Sequence, residues 1–263
     1  MMNLKALRED SGRAVRRLLE GLELSSEASI LVRDVQELCL HFHIIAVATL
    51  LVDGKPQGFF LNLCRAAENW RRLLSHLRRE GAPLPASKHH APLLGALAAG
   101  HWTLARQVAE LSEIRWLPEE EYRNEYTWSQ ALQALATSEA AGQGSALVPH
   151  VEALEVLGGE DMEDRALMVR AMVESNEPEF AKAFAHAALV RQEVIEKRAK
   201  LFTTPVTKFA PQRYLWLEGL ALLRLAERAG FPMNEEHYLY CPPLARLPMT
   251  ESYRGDWVIP LAP

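Results

Sequence analysis

Apolar residues recur at intervals of three and four along almost the whole chain, and no run of five or more residues alternates apolar with polar like a half-buried strand. That periodicity leaves the α-helix as the building element. From Phe59 the stripe runs through Leu63, Ala67, Trp70 and Leu74 to Leu77, while Arg65, Arg71, Arg72, Arg78 and Arg79 lie mostly off it. One face of such a helix packs and the other stays wet. Asp53-Gly54-Lys55-Pro56 stops the helix before it, and so short a connection turns the chain back on itself. The apolar run Leu38 to Val52 is about 22 Å long as a helix. It is shorter than a bilayer core and broken by His41 and His43, so it reads as a buried helix and not a membrane span.

Two further stretches read as helix hairpins: Pro92 to Leu111, broken at Gly100, and Asp164 to Arg198, broken at Asn176-Glu177-Pro178-Glu179. Asn176 is placed to accept from a free N–H of the new helix, Glu179 to reach back, and Pro178 to sit in a first turn that needs no donor. A last helix is expected from about Pro211 to Ala229, stopped by Gly230 with Pro232 beyond. Ser138 to Ser145 reads as a loop or hinge, and the proline-rich tail from Cys241 to Pro263 as irregular chain whose Tyr253, Trp257, Val258, Ile259 and Leu261 pack back on the helices. Both hairpins are rich in alanine, as in stacked helical repeats, but no period of roughly 33 or 34 residues recurs. The expectation is one all-α domain over residues 1–263, a compact irregular bundle of about eight to ten helices built from antiparallel hairpins.

With 263 residues, 49% of them apolar, the chain can bury a core without disulfides or metals. Cys39, Cys64 and Cys241 are odd in number and far apart, which fits a reducing compartment. Charged residues scattered from Lys5 to Arg17 leave no signal-peptide core, so a cytoplasmic location is expected. A net charge of -5 speaks against direct nucleic-acid binding. There is no HExxH, Walker-type glycine loop, GxSxG or GxGxxG. His41 and His43 are two residues apart and diverge on a helix, and His89-His90 reads as a solvated pair before a helix start. No catalytic residue, cofactor, metal or membrane contact is therefore expected. A helical hydrolase with carboxylates around metal ions would need inward-facing Asp and Glu on several helices, and the apolar stripes carry few.

The acidity is local. Glu110 to Asp164 holds thirteen acidic and two basic residues, a balance of -11, and no lysine at all. Helix first turns explain part of this: Pro118-Glu119-Glu120-Glu121 and Glu160-Asp161-Met162-Glu163-Asp164 both look like N-termini, where carboxylates oppose the positive end of the dipole. Missing Glu–Lys partners leave an acidic face that suits a basic protein. On a helix starting near Pro118, Trp128, Leu132 and Leu135 point inward, and Tyr122 and Tyr126 flank them beside Glu121 and Glu125. The candidate contact face is Glu119, Glu120, Glu121, Tyr122, Glu125 and Tyr126, with Asp161, Glu163 and Asp164 as a second acidic element.

Four features together resemble bacterial immunity proteins, and among them the Immunity protein 49 family of polymorphic-toxin systems. They are the all-helical pattern, the Ala-Ala-Gly-His-Trp-Thr-Leu-Ala block at 98–105, Glu-Glu-Glu-Tyr-Arg-Asn-Glu-Tyr at 119–126 and Trp-Leu-Glu-Gly-Leu-Ala-Leu-Leu-Arg-Leu-Ala at 216–226. The resemblance spans residues 30 to 245. It implies a non-enzymatic cytoplasmic protein that binds a cognate secreted toxin one to one and protects the producer. Several such toxins are nucleases delivered by routes such as the type VI secretion system, and a DNase with a basic cleft fits the acidic segment. The alternative is a tetratricopeptide-like adaptor or effector chaperone that holds a peptide segment.

Overall fold

The computed structural model of the chain describes residues 3–138, 146–201, 206–232 and 238–255. Among them are eleven α-helices and no strand: α1 (Leu4–Gly21), α2 (Ala28–Asp53), α3 (Pro56–Arg79), α4 (Ala91–Ala98), α5 (Trp102–Leu111), α6 (Arg123–Thr137), α7 (Val148–Leu157), α8 (Glu160–Glu174), α9 (Glu177–Ala199), α10 (Val206–Tyr214) and α11 (Leu217–Arg228). The fold is all-α, as the periodicity predicts. Most helices pack on their neighbour in sequence, and α4 against α11 and α2 against α10 bring the late helices back onto the early ones.

The glycine and proline punctuation falls where expected. α2 ends on Gly54 and α3 starts with Pro56. The α4–α5 turn is a Schellman motif: Gly100 takes φ 69°, its N–H reaches Leu97 O at 2.9 Å, and His101 N–H reaches Ala96 O at 3.0 Å. Asn176 caps α9 by accepting from Glu179 N–H at 3.3 Å. By length and composition α2 would be apolar enough to cross a membrane, but its apolar window is mostly packed inside, with Val35, Leu38, Ala46 and Ala48 fully buried. The described part of the tail is tied down as well. Gln57 in α3 donates to Pro248 O and accepts from Thr250 N–H and Glu251 N–H, and Cys241 and Ala245 are buried. Most of the expected hinge (139–145) and the residues from 256 on, Trp257 to Leu261 among them, lie outside the described residues.

Two boundaries differ from expectation. The stretch 211–229 is not one helix, because the chain breaks at Leu215-Trp216 between α10 and α11. Trp216 is extended (φ -102°, ψ 91°) and its N–H is taken by Tyr240 O at 2.9 Å, a partner just before the tail that no local pattern announces. The second is the helix expected from Pro118, which begins only at Arg123.

Trp216 folds its indole back across the first turn of its own helix. It stacks on Phe184 with centroids 5.0 Å apart, and Gly219 makes room for it: a Cβ there would stand 2.3 Å from the indole ring. Glycine inside a helix costs about 1 kcal/mol relative to alanine, so its presence at 219 marks a packing need. Gly219→Ala is expected to gain helix propensity yet lower stability by about 1–3 kcal/mol, because the indole must leave its stack. Urea unfolding followed by tryptophan fluorescence measures both the loss and the displaced ring.

Candidate functional site

The turn between α5 and α6, residues 112–122, carries Glu119, Glu120, Glu121 and Tyr122 of the predicted contact face, and it is bonded inward along much of its length. Arg78 of α3 donates to the carbonyls of Leu111 and Ser112, closing the end of α5. Glu113 is buried and accepts from Ile114 N–H, Arg115 N–H and the Arg115 guanidinium. Its hydrogen bond from the Arg115 side chain, opposed in part by burial, holds its carboxyl below the usual range. Tyr126 O–H donates to Ile114 O at 2.9 Å, Trp116 Nε1–H to Glu121 O at 3.3 Å, and the Arg123 guanidinium lies 4.8 Å from the centroid of Trp116 and 5.3 Å from that of Tyr126.

Within this frame the predicted residues separate. Glu119 and Glu120 are exposed and make no ion pair among the described residues. Tyr122 is 78% exposed. Beside it in the same turn stand Ile114 at 67% and Trp116 at 41%, which sequence reasoning left out of the face although the apolar Ile-Arg-Trp run could have signalled them. Glu125 is part of the scaffold: its carboxylate accepts from Tyr122 N–H at 2.9 Å, closing the start of α6. Tyr126 is likewise occupied by its bond to Ile114 O.

Glu121 is a correction. It is 4% exposed, and its Oε2 accepts from Ser87 O–H at 2.8 Å and Lys88 N–H at 2.9 Å. It clasps the loop before α4 to the loop before α6 and is unavailable to a partner. The physical reason is that 118–121 is a tight turn and not a helical first turn, so the third carboxylate points in. Asp164 is a second correction. It is buried, with its carboxylate 2.9 Å from His186 Nδ1, and it joins α8 to α9. Glu163 is exposed, and the side chain of Asp161 lies outside the described residues. Arginines from beyond the acidic segment meet some of its other carboxylates, Arg170 at Glu155 and Arg106 at Glu110.

Of the histidines, only the pair expected to be solvated, His89-His90, departs from expectation. His41 is buried, its Nδ1 3.1 Å from Ser11 Oγ; His43 is 7% exposed, and its Nε2 is buried with no partner. His89 and His90 are half-buried: His90 Nδ1 lies 2.8 Å from Ser129 Oγ, and His89 packs near Trp70. Desolvation pushes His43 and His90 down to about 4, so both are neutral at pH 7. The three thiols are buried, and burial pushes Cys64 and Cys241 up to about 12, which leaves them unreactive. Among the described residues no three His, Cys, Asp or Glu side chains gather to hold a metal ion. Compared with protein-family models, curated proteins and solved structures, the chain matches none.

Two outcomes follow for stability. Glu121→Ala leaves Ser87 O–H and Lys88 N–H without their acceptor and is expected to cost about 2–3 kcal/mol, whereas Glu120→Ala costs almost nothing; chemical denaturation of the two variants separates the clasp from the surface charge. Because His43 has a folded-state pKa below its unfolded value, its contribution is complete above pH 6.5 and is lost as pH falls toward 4. Lost stability of about 2 kcal/mol at pH 5 relative to pH 7 is expected from this residue alone. The carboxylates held below 4.5, Glu68, Glu113 and Glu218, act in the same direction but only under pH 4.5. Unfolding free energies of wild type and His43→Leu at both pH values test this, and the variant should show the shallower fall.

Proposed function

We propose that the protein is a non-enzymatic immunity protein that binds and neutralises a cognate secreted antibacterial toxin, a nuclease of the DNase kind, through the turn between α5 and α6. The observation that carries this reading is the pairing of two properties in one turn. Ile114, Trp116 and Tyr122 are exposed beside two carboxylates with no ion pair, on backbone that Arg78, Glu113, Glu121 and Tyr126 hold in place. Exposed aromatic residues supply the large buried area of binding hot spots. A turn fixed before the partner arrives loses little entropy on docking. Glu119 and Glu120 steer toward a basic surface, and a nuclease cleft is basic because it holds phosphates. With the resemblance to the Immunity protein 49 family, these features favour an inhibitor forming a one-to-one complex in the cytoplasm over an adaptor for extended peptides.

Co-expression with the product of the adjacent gene, scored by survival and then by co-purification, is the direct test; a neighbour that kills regardless and never co-purifies removes the reading. In the complex, Glu119→Lys with Glu120→Lys is expected to slow association about tenfold and flatten its salt dependence, with the helical circular dichroism unchanged. Tyr122→Ala is expected to speed dissociation, at a cost of about 2 kcal/mol. Unaltered on-rate and salt slope in stopped-flow would move the contact face elsewhere.

A further inference from the structure

Along one side of the α2–α3 hairpin lies a cavity of about 410 Å³, within the range of small-molecule pockets. α2 contributes Gln36, Cys39, Leu40, His43 and Val47 to its wall, a spacing of three and four that puts them on one face. α3 contributes Phe59, Leu63 and Trp70. Each set extends over about 16 Å of helix. The first turn of α4 and the junction of α10 with α11 around Trp216 complete the wall. A volume of about 410 Å³ drawn out along about 16 Å is a slot, since the same volume as a sphere would be only about 9 Å across.

The two ends of the slot differ. α2 and α3 are joined through Gly54-Lys55, so Val47 and Phe59 stand at one end and Gln36 and Trp70 at the other. The first end is dry, with Val47 and Phe59 both buried. At the second, Gln36 and His89, which packs near Trp70, are half-buried, and their side chains make no hydrogen bond among the described residues. Desolvation lowers His89, so it is neutral at pH 7. A carboxamide and a neutral imidazole each offer a donor and an acceptor.

The charges around the slot are already matched within the protein. Glu218 accepts from Arg165 at 3.0 and 3.3 Å, and Arg191 donates to Gln212 O and Leu215 O in the field of the same carboxylate. Lys88 Nζ donates to Glu120 O, and His43 Nε2 packs against Gly95. A charged ligand would lose its hydration here without gaining a counter-charge.

We propose that this slot binds an uncharged single-chain amphiphile, its hydrocarbon chain lying between α2 and α3 toward Val47 and Phe59 and its hydroxyl or amide head at Gln36 and His89. Apolar walls favour the chain, and the unmatched uncharged groups at the open end fix its direction. The site stands independently of the docking turn.

Calorimetric titration of the full chain with 1-octanol, sodium octanoate, octylammonium chloride and cyclooctanol tests it. 1-Octanol is expected to bind one to one with a Kd below about 1 mM, and each of the other three at least about tenfold more weakly, the two ions for their charge and the ring for its width. Leu40→Trp, which fills the slot part-way along α2 from a half-buried position, should abolish the saturable heat of 1-octanol with the helical circular dichroism unchanged. Should that variant fail to fold, Gln36→Trp at the open end should give the same loss, and the four ligands on the unsubstituted chain decide without either. No saturable heat from 1-octanol at millimolar concentration, an ion or the ring binding as tightly, or unchanged affinity in a folded variant would each overturn the assignment.

Discussion

A helix that is apolar on every side has only one place to go. α4 carries Pro92, Leu93, Leu94, Gly95, Ala96, Leu97 and Ala98, and all seven are buried. In water such an element is unstable, so its neighbours must surround it. α3, α5 and α11 do so, drawing together helices more than a hundred residues apart in the chain. The small side chains at 95, 96 and 98 let those neighbours approach closely, and Arg224 of α11 reaches Ala98 O at the end of α4. The cavity lies at the first turn of α4, and the turn between α5 and α6 at the far end of α5.

What could be read from sequence is what is decided locally. Gly54-Lys55-Pro56, Gly100, Asn176 and Gly230 end or begin helices through their own backbone preferences, and all four behave as predicted. The inward register of Trp128, Leu132 and Leu135 also holds, because three-and-four spacing survives a shift in where the helix starts. The misreadings share a different cause. Trp216 breaks a helix because Tyr240 takes its N–H, Glu121 turns inward because Ser87 and Lys88 need an acceptor, and His90 turns toward the protein because α6 supplies Ser129. Each depends on a partner 24 to 39 positions away, and hydrophobic periodicity does not encode those partners.

The acidic segment shows why composition finds a charged region without saying what each charge does. Glu121 satisfies the buried Ser87 O–H; Glu113 and Asp164 are themselves buried and bonded to Arg115 and His186; Glu125 closes a helix start; Glu110 and Glu155 find arginines outside the segment. Glu119 and Glu120 are left facing solvent, and neither carboxylate forms an ion pair among the described residues. The inward carboxylates fix the turn that carries the outward ones. A surface charge on a loose loop loses entropy when it is held by a partner, whereas one on a turn fixed by buried hydrogen bonds has already lost it on folding.

The segment from Ser87 to His90 belongs to both places. Ser87 O–H and Lys88 N–H are held by Glu121 under the docking turn, Lys88 Nζ donates to Glu120 O, and Lys88, His89 and His90 form part of the cavity wall. Four residues with both sets of bonds cannot shift on one side without changing geometry on the other, since packed interiors do not absorb displacement gradually.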